Sequence, residues 1–340
     1  MSEQISVAEL SDIGFDPLRR MVLAEAEEHQ MQVARNDSAG IVVQTVYGRI
    51  AFSPQGAGCR AEVAAPRTDF LQTLKDSLVA HIAELAPEAA EGLRWVGDRQ
   101  QGALPANAGL MQVAGAETLD CGFVRITLTG DASRFSDDAI HFRLGLPPEG
   151  RAPVWPRIGA NGATVWPKGE DALHLPVYTA RRAEAGRLVF DLYEHAGGRT
   201  TDWASTDPVG AQVLITGPGG GGARIEGPVL GYADDTAFPA VARILAANPD
   251  LTGTIHLYPS SAQTARYSFP AHPGVALVWH QARDAARMAR TACDELDTER
   301  FVWFAGERHQ ADVVRKAWKQ AGGAARRSYI AAYWQDAALR

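Results

Sequence analysis

The chain is poor in cysteine, with residues of that type only at positions 59, 121 and 293. They form no CxxC pair and no iron–sulfur spacing, so neither a disulfide framework nor a thiol redox centre is expected. Any redox chemistry has to come from a bound cofactor. No run approaches the roughly 18 apolar residues of a membrane span. The opening MSEQISVAELSDIG is acidic and lacks the apolar core of a signal peptide. A cytoplasmic location with free thiols is therefore expected. Positive charge is not in surplus either. The formal net charge of -7 disfavours nucleic acid and anionic membrane as partners, while leaving room for a local basic pocket. Histidine, aspartate and glutamate form no dense cluster, so no protein-bound metal and no catalytic triad are expected.

What is present is an ordinary globular composition, 46% apolar and 21% charged over 340 residues, enough for two or three domains. Residues 1–100 read as a small α+β module. A helix-like acidic segment near 17–30 precedes the strand-like runs GIVVQTVYGRIAF and CRAEVAA. RTDFLQTLKDSLVAHIAEL then places Leu71, Leu74, Leu78, Ile82 and Leu85 on one helical stripe, with His81 beside it as a surface or edge residue. The linker GDRQQGALPANAG places a boundary near 100–108. Residues 101–225 are short strands punctuated by Gly and Pro, which argues for an antiparallel β-barrel. The long irregular insert 151–173 inside this section is expected to be functional or mobile. Residues 226–340 alternate strand and helix, as in a parallel α/β sheet of nucleotide-binding type.

The chemistry concentrates on LHLPVYTARRAEAGRLVFDLYEHAGGRTTDWAS, 173–205. Val177, Tyr178 and Thr179 end a strand, with Tyr178 and Thr179 on opposite faces. A tyrosine face can cover an isoalloxazine ring, and a threonine hydroxyl can serve a ring nitrogen. After His195 and a Gly-Gly turn, Thr200 or Thr201 can cap a helix beginning near Asp202, whose N-terminus offers N–H groups to a pyrophosphate. ADDTAFPA opens a further helix that Asp234 or Asp235 can cap. It is no glycine-rich dinucleotide fingerprint, and its carboxylates suit hydroxyl or adenine contacts better than phosphate. GPGGGGARIEG lacks the GK[ST] ending of a phosphate loop and reads as a hinge between domains.

From Thr127 onward, these motifs resemble the siderophore-interacting protein family, FAD-dependent ferric-siderophore reductases with a ferredoxin-reductase-like fold. The family pattern R-x-Y-T corresponds to Pro176-Val177-Tyr178-Thr179. H-G and G-P-A-S-x-W-A correspond to His195-Ala196 and to Arg199 through Ala204. G-D-E-T-A-x-P-A corresponds to Ala233 through Ala240, and the closing elements to Trp303 through Glu307 and Tyr333-Trp334. The resemblance implies flavin-ring contacts from Val177, Tyr178 and Thr179, phosphate contacts at His195, Arg199, Thr200 and Thr201, adenine-end contacts from Asp234 and Thr236, and a ring-flanking Trp334. Pro176 departs from the pattern: arginine supplies a forked, permanently charged donor set and proline supplies none. His174, Arg181, Arg182 and Arg199 are near in sequence, and Arg199 lies in the phosphate turn. The segments GRIAF and CRAEV, within 31–95, resemble a small domain of unassigned function that occurs alone or fused to this family.

The reading implied is reduction of a ferric hydroxamate or catecholate siderophore through FAD. NADH, NADPH or reduced ferredoxin is the donor. Arg134, Arg157, Lys168, Arg266 and Arg308 sit in loops or at element ends and are candidates for holding an anionic chelate. The alternatives are an NAD(P)H:ferredoxin or flavodoxin reductase, and a non-catalytic flavin- or siderophore-binding protein.

Overall fold

A computed structural model describes residues 3–28, 31–97, 100–135, 139–184, 186–281 and 285–336. It separates into two compact units. The first is Met1–Gly109 with Gly145–His174, and the second is Leu110–Leu144 with Leu175–Arg340.

The first unit is built on a five-stranded sheet in the order Gln4–Leu10, Gly58–Ala65, Gly48–Gln55, Gly40–Thr45, Gln32–Asp37, with every neighbouring pair antiparallel. Helices Phe15–Glu28 and Thr68–Leu85 pack against it. Of the expected stripe, Leu74, Leu78 and Ile82 are buried and Leu71 is half-buried, while Leu85 ends the helix exposed. The insert expected to be functional or mobile is instead pinned to this unit. Its Arg157–Ile158 and Thr164–Val165 segments pair as a short ribbon. Asp76 on the long helix accepts from the backbone and hydroxyl of Thr164, both at 2.8 Å. Trp95 Nε1 donates to Asn161 O at 3.0 Å, and Gln72 Nε2 donates to Gly162 O at 2.9 Å. Gly162 has φ +73°, and a Cβ there would lie 2.3 Å from the Trp95 ring. Beyond that ribbon, side chains of the first unit satisfy backbone groups at Asn161, Gly162 and Thr164.

The second unit carries two sheets. The antiparallel barrel sheet has seven strands in the order Val177–Thr179, Ala139–Gly145, Gln212–Gly222, Ala108–Leu119, Phe123–Thr129, Arg187–Tyr193, Arg182–Glu184. The glycine run expected as a hinge lies inside the strand Gln212–Gly222. The parallel sheet has the order Val275–Trp279, Gly253–Tyr258, Val229–Asp234, Phe301–Glu307, Ser328–Trp334. Its first strand in sequence is central, so the strand order reverses beside Val229–Asp234. That reversal opens a crevice at the carboxyl ends of the strands.

The barrel and the parallel sheet meet on a buried carboxylate. Asp191 stands directly across from Arg125 in the ladder, and Arg125 grips it through Nε and one terminal nitrogen at 2.7 and 2.8 Å. Arg181 Nε lies 3.0 Å from the same carboxylate. Tyr267, between the second and third strands of the parallel sheet, donates its hydroxyl to Asp191 at 2.6 Å. The Tyr267 ring lies 4.7 Å from Phe123 and 5.7 Å from Phe238, centroid to centroid. Asp191→Ala would leave two guanidinium groups and the Tyr267 hydroxyl without their shared acceptor. It is expected to lower the unfolding free energy by about 3–5 kcal/mol in urea titrations. Glu149→Gln, on the exposed surface, is expected to change it by less than about 0.5 kcal/mol.

Candidate functional site

The strand Val177–Thr179 pairs antiparallel with Ala139–Gly145, with Tyr178 across from Phe142 and Thr179 across from His141. Alternation sends Tyr178 and Thr179 to opposite faces, as expected. The Tyr178 ring packs 5.1 Å from Phe190 and 6.4 Å from Phe142. Burial pushes its hydroxyl up to about 12, opposed by a hydrogen bond with the Thr200 side chain. That contact ties the hairpin to the turn that follows. Val177 is exposed.

The turn forms a seven-residue helix, Arg199–Ser205. Neither Thr200 nor Thr201 caps it; Gly198 occupies the cap position without a side-chain bond. A Cβ on Gly198 would lie 2.7 Å from the His195 ring and 2.9 Å from Thr201 Oγ1, so no capping side chain fits. The Thr201 hydroxyl accepts from the His195 backbone at 3.4 Å instead. His195 is exposed, with its ring 6.2 Å from Tyr193. Of the basic residues near Pro176, Arg181 is committed to Asp191 and Tyr267. Arg182 pairs with Glu184, and His174 pairs through its backbone with Leu146 in the first unit. Arg199 is exposed and has no hydrogen-bond or ion-pair partner among the described residues.

Thr179 meets a network that the sequence does not reveal. Its hydroxyl lies 3.5 Å from His141 Nδ1. His141 Nε2 lies 3.0 Å from the Tyr329 hydroxyl and 2.9 Å from the Tyr333 hydroxyl. A Cβ on Gly220 would lie 2.5 Å from the His141 ring, and one on Gly221 would lie 2.4 Å from the Tyr329 ring. Two of the glycines thus give these rings room against the backbone. Burial lowers the His141 pKa to about 4 and raises both tyrosines, Tyr333 most strongly.

At the carboxyl ends of the parallel strands, Asp234, Thr236 and Trp334 come together. Asp234 Oδ1 accepts from the Thr236 backbone at 3.0 Å and from its hydroxyl at 2.5 Å, and Oδ2 accepts from Trp334 Nε1 at 2.7 Å. Asp234 caps the short turn, whereas Asp235 accepts from the Ser260 backbone at 3.0 Å. Glu307 ends the neighbouring strand and caps the helix Arg308–Gln320 through Oε2, 3.1 Å from Gln310 N. Its Oε1 is buried and has no hydrogen-bond partner among the described residues. A carboxylate at the end of an apolar strand is the one sequence signal that marks Glu307. Asp191 carries a different signal, a carboxylate in the middle of an apolar strand, VFDLY.

The five basic candidates stand on separate elements. Arg157, on the Gly102 carbonyl at 2.9 Å, and exposed Lys168 belong to the first unit. In the second, Arg134 lies over Phe135 and donates to Ile215 O at 3.4 Å, and Arg266 donates to the Asp120 carbonyl. Arg308 is exposed at the start of its helix and has no hydrogen-bond or ion-pair partner among the described residues.

A family model described as siderophore-interacting FAD-binding domain matches residues 112–222. A second, described as siderophore-interacting protein, matches residues 228–337. The chain belongs to the siderophore-interacting protein family. No curated protein matches it. Among solved structures, the siderophore-interacting protein SipS from Aeromonas hydrophila is similar at 24% identity and TM-score 0.54, over 68% of this chain and 99% of that one. A siderophore utilization protein from T. fusca is similar at 24% identity and TM-score 0.55, over 68% and 93% of the two chains. At these identities the likeness concerns the fold. The siderophore-interacting matches thus cover the barrel and the parallel sheet and begin at residue 112.

The donors present fit the FAD of this family. An exposed arginine stands in the turn Arg199–Ser205, and hydroxyl and aromatic groups stand on the strand Val177–Thr179. The His141 network has a pH signature. In the unfolded chain this histidine takes up a proton below about pH 6.5, but in the folded chain only near pH 4. Its contribution is therefore complete above pH 6.5 and is lost as pH falls toward 4, by about 3 kcal/mol. Urea titrations at pH 7, 5.5 and 4 are expected to show that loss in the wild type. In His141→Gln they are expected to show a shallower slope.

Proposed function

We propose that this chain is an FAD-dependent oxidoreductase that reduces ferric siderophores and so releases iron as Fe(II), with NADH, NADPH or reduced ferredoxin as the electron donor. The observation that carries this reading is the pairing of Tyr178 with Thr200 beside the uncommitted Arg199. It joins the aromatic strand to the turn that carries the exposed Arg199. When bound, FAD takes two electrons from a donor and passes them on singly, as a ferric ion requires. The chain's own residues bind and orient. Val177, Tyr178 and Thr179 would border the ring, and His195, Arg199, Thr200 and Thr201 the pyrophosphate. Asp234, Thr236 and Trp334, which bond to one another, would meet one and the same part of the cofactor, the adenine end, so Trp334 would not flank the ring as the sequence suggests.

Arg199 would supply the forked cation that Pro176 cannot. His141 would hold the Thr179 hydroxyl, and its low pKa keeps it neutral at pH 7. Hydroxamate and catecholate oxygens are hard ligands that favour Fe(III), so reduction loosens their hold on the metal. No protein ligand to iron is required. Among the proposed chelate contacts, Arg308 is the cation in the second unit with no commitment to another group.

Arg199→Ala is expected to weaken FAD binding at least about tenfold, measured by flavin fluorescence quenching. Anaerobic mixing of the reconstituted protein with NADH, NADPH or reduced ferredoxin is expected to bleach the flavin absorbance. Adding a ferric siderophore and an Fe(II) trap is then expected to restore the absorbance and colour the trap. A protein that binds no added FAD would overturn the reading.

A further inference from the structure

We propose that the first unit binds a small neutral amphiphile, an apolar molecule with a single hydroxyl head, in a recess of about 450 Å³. The recess lies within this unit, so the proposal is independent of the flavin reading.

Its floor is made by Val22, Val43, Phe52, Leu74 and Leu78, all buried. These side chains come from the first helix, the central hairpin and the long helix, and they belong to the unit's core. Cores normally close to the density of organic crystals. Here that packing stops short, and a volume within the range of small-ligand pockets is left. Val46, 85% exposed, stands at its edge on the turn between two strands. Met21 and Met31 also line it, and their flexible thioethers can adapt to varied apolar shapes.

Polar groups gather at one corner. Ser77 and His81 lie one turn apart on the long helix, with Ser77 Oγ 3.4 Å from His81 Nδ1. His81 Nε2 is 3.2 Å from Glu25 Oε2 on the first helix. His81, expected as a surface or edge residue, stands partly exposed at the edge of the recess. The order serine–histidine–glutamate invites comparison with a hydrolase. However, Ser77 sits in mid-helix, where the backbone N–H groups are taken by the helix itself. The donors that stabilise an acyl-transfer intermediate are therefore missing from that helix. The arrangement suits recognition.

The corner also selects the head group. A carboxylate head would meet the Glu25 carboxylate at close range. An ammonium head would have to shed its hydration in an apolar recess where Glu25 is already paired with His81. A hydroxyl can donate to Ser77 Oγ, which keeps acceptor capacity beside its contact with His81, at the lowest desolvation cost of the three.

The test is calorimetric titration of the intact chain at pH 8 with 1-octanol, octanoate and octylamine. Octanol is expected to saturate one site per chain, with octanoate and octylamine each at least tenfold weaker. Leu78→Trp, which fills the floor, is expected to weaken octanol at least tenfold. Thr45→Trp, at the half-buried rim, repeats the test if the first variant fails to fold by circular dichroism. Glu25→Gln, which removes the repelling carboxylate, is expected to erase most of the preference for octanol over octanoate. Absence of saturable octanol binding would overturn the proposal. So would octanoate or octylamine binding as tightly as octanol, or unchanged octanol affinity in a folded tryptophan variant.

Discussion

Asp191 is a carboxylate with no exposed side-chain surface, held by two arginines and a phenol. Removing such a group from water costs several kcal/mol, and only close, directional partners offset that cost. Arg125 provides them from the neighbouring strand, Arg181 from the hairpin after Thr179, and Tyr267 from the parallel-sheet half. A change in register of one residue would turn Arg125 to the opposite face of its strand and leave the carboxylate short of a partner. The same interaction therefore sets the barrel register and the seating of the parallel sheet. It also fixes the hairpin that carries Tyr178 and Thr179. Because Arg181 is consumed here, Arg199 is left as the cation available to the turn proposed to meet the cofactor's phosphates.

The His141 network works on the other side of that hairpin with weaker forces. Its partners are neutral, and their value lies in being satisfied where water does not reach. Two glycines are needed so that the imidazole and one phenol can lie against the backbone. Asp234, Thr236 and Trp334 form a third cluster at the place where the parallel strand order reverses. Short hydrogen bonds there hold a buried carboxylate at the strand ends. Around the proposed flavin site, polar groups are thus mostly immobilised by one another, which is how a protein keeps a bound group in one orientation.

The strands and helices were readable because their signals are local. FVRITLT alternates, and Leu74, Leu78 and Ile82 repeat at helical spacing. The glycine run is different. Its composition reads as a hinge, yet it forms a strand, because its conformation answers to rings that arrive from distant positions. The insert 151–173 carries turn residues in sequence and is held by Asp76, Gln72 and Trp95 in space. His81 reads as a surface or edge residue and is one, but its partner Glu25 comes from another helix, which no local pattern records.

The sequence by itself determined the two folding patterns, the family motifs around Tyr178, Arg199 and Asp234, and the loss of a cation at Pro176. Each depends on residue type and spacing along one stretch of chain. Tertiary structure decided which charges remained available, that His141 stands against Thr179, and that the first unit leaves a recess lined by Ser77 and His81. Those outcomes depend on pairings between residues far apart in the chain. Burial makes such pairings costly to leave unmade, and no local pattern records them.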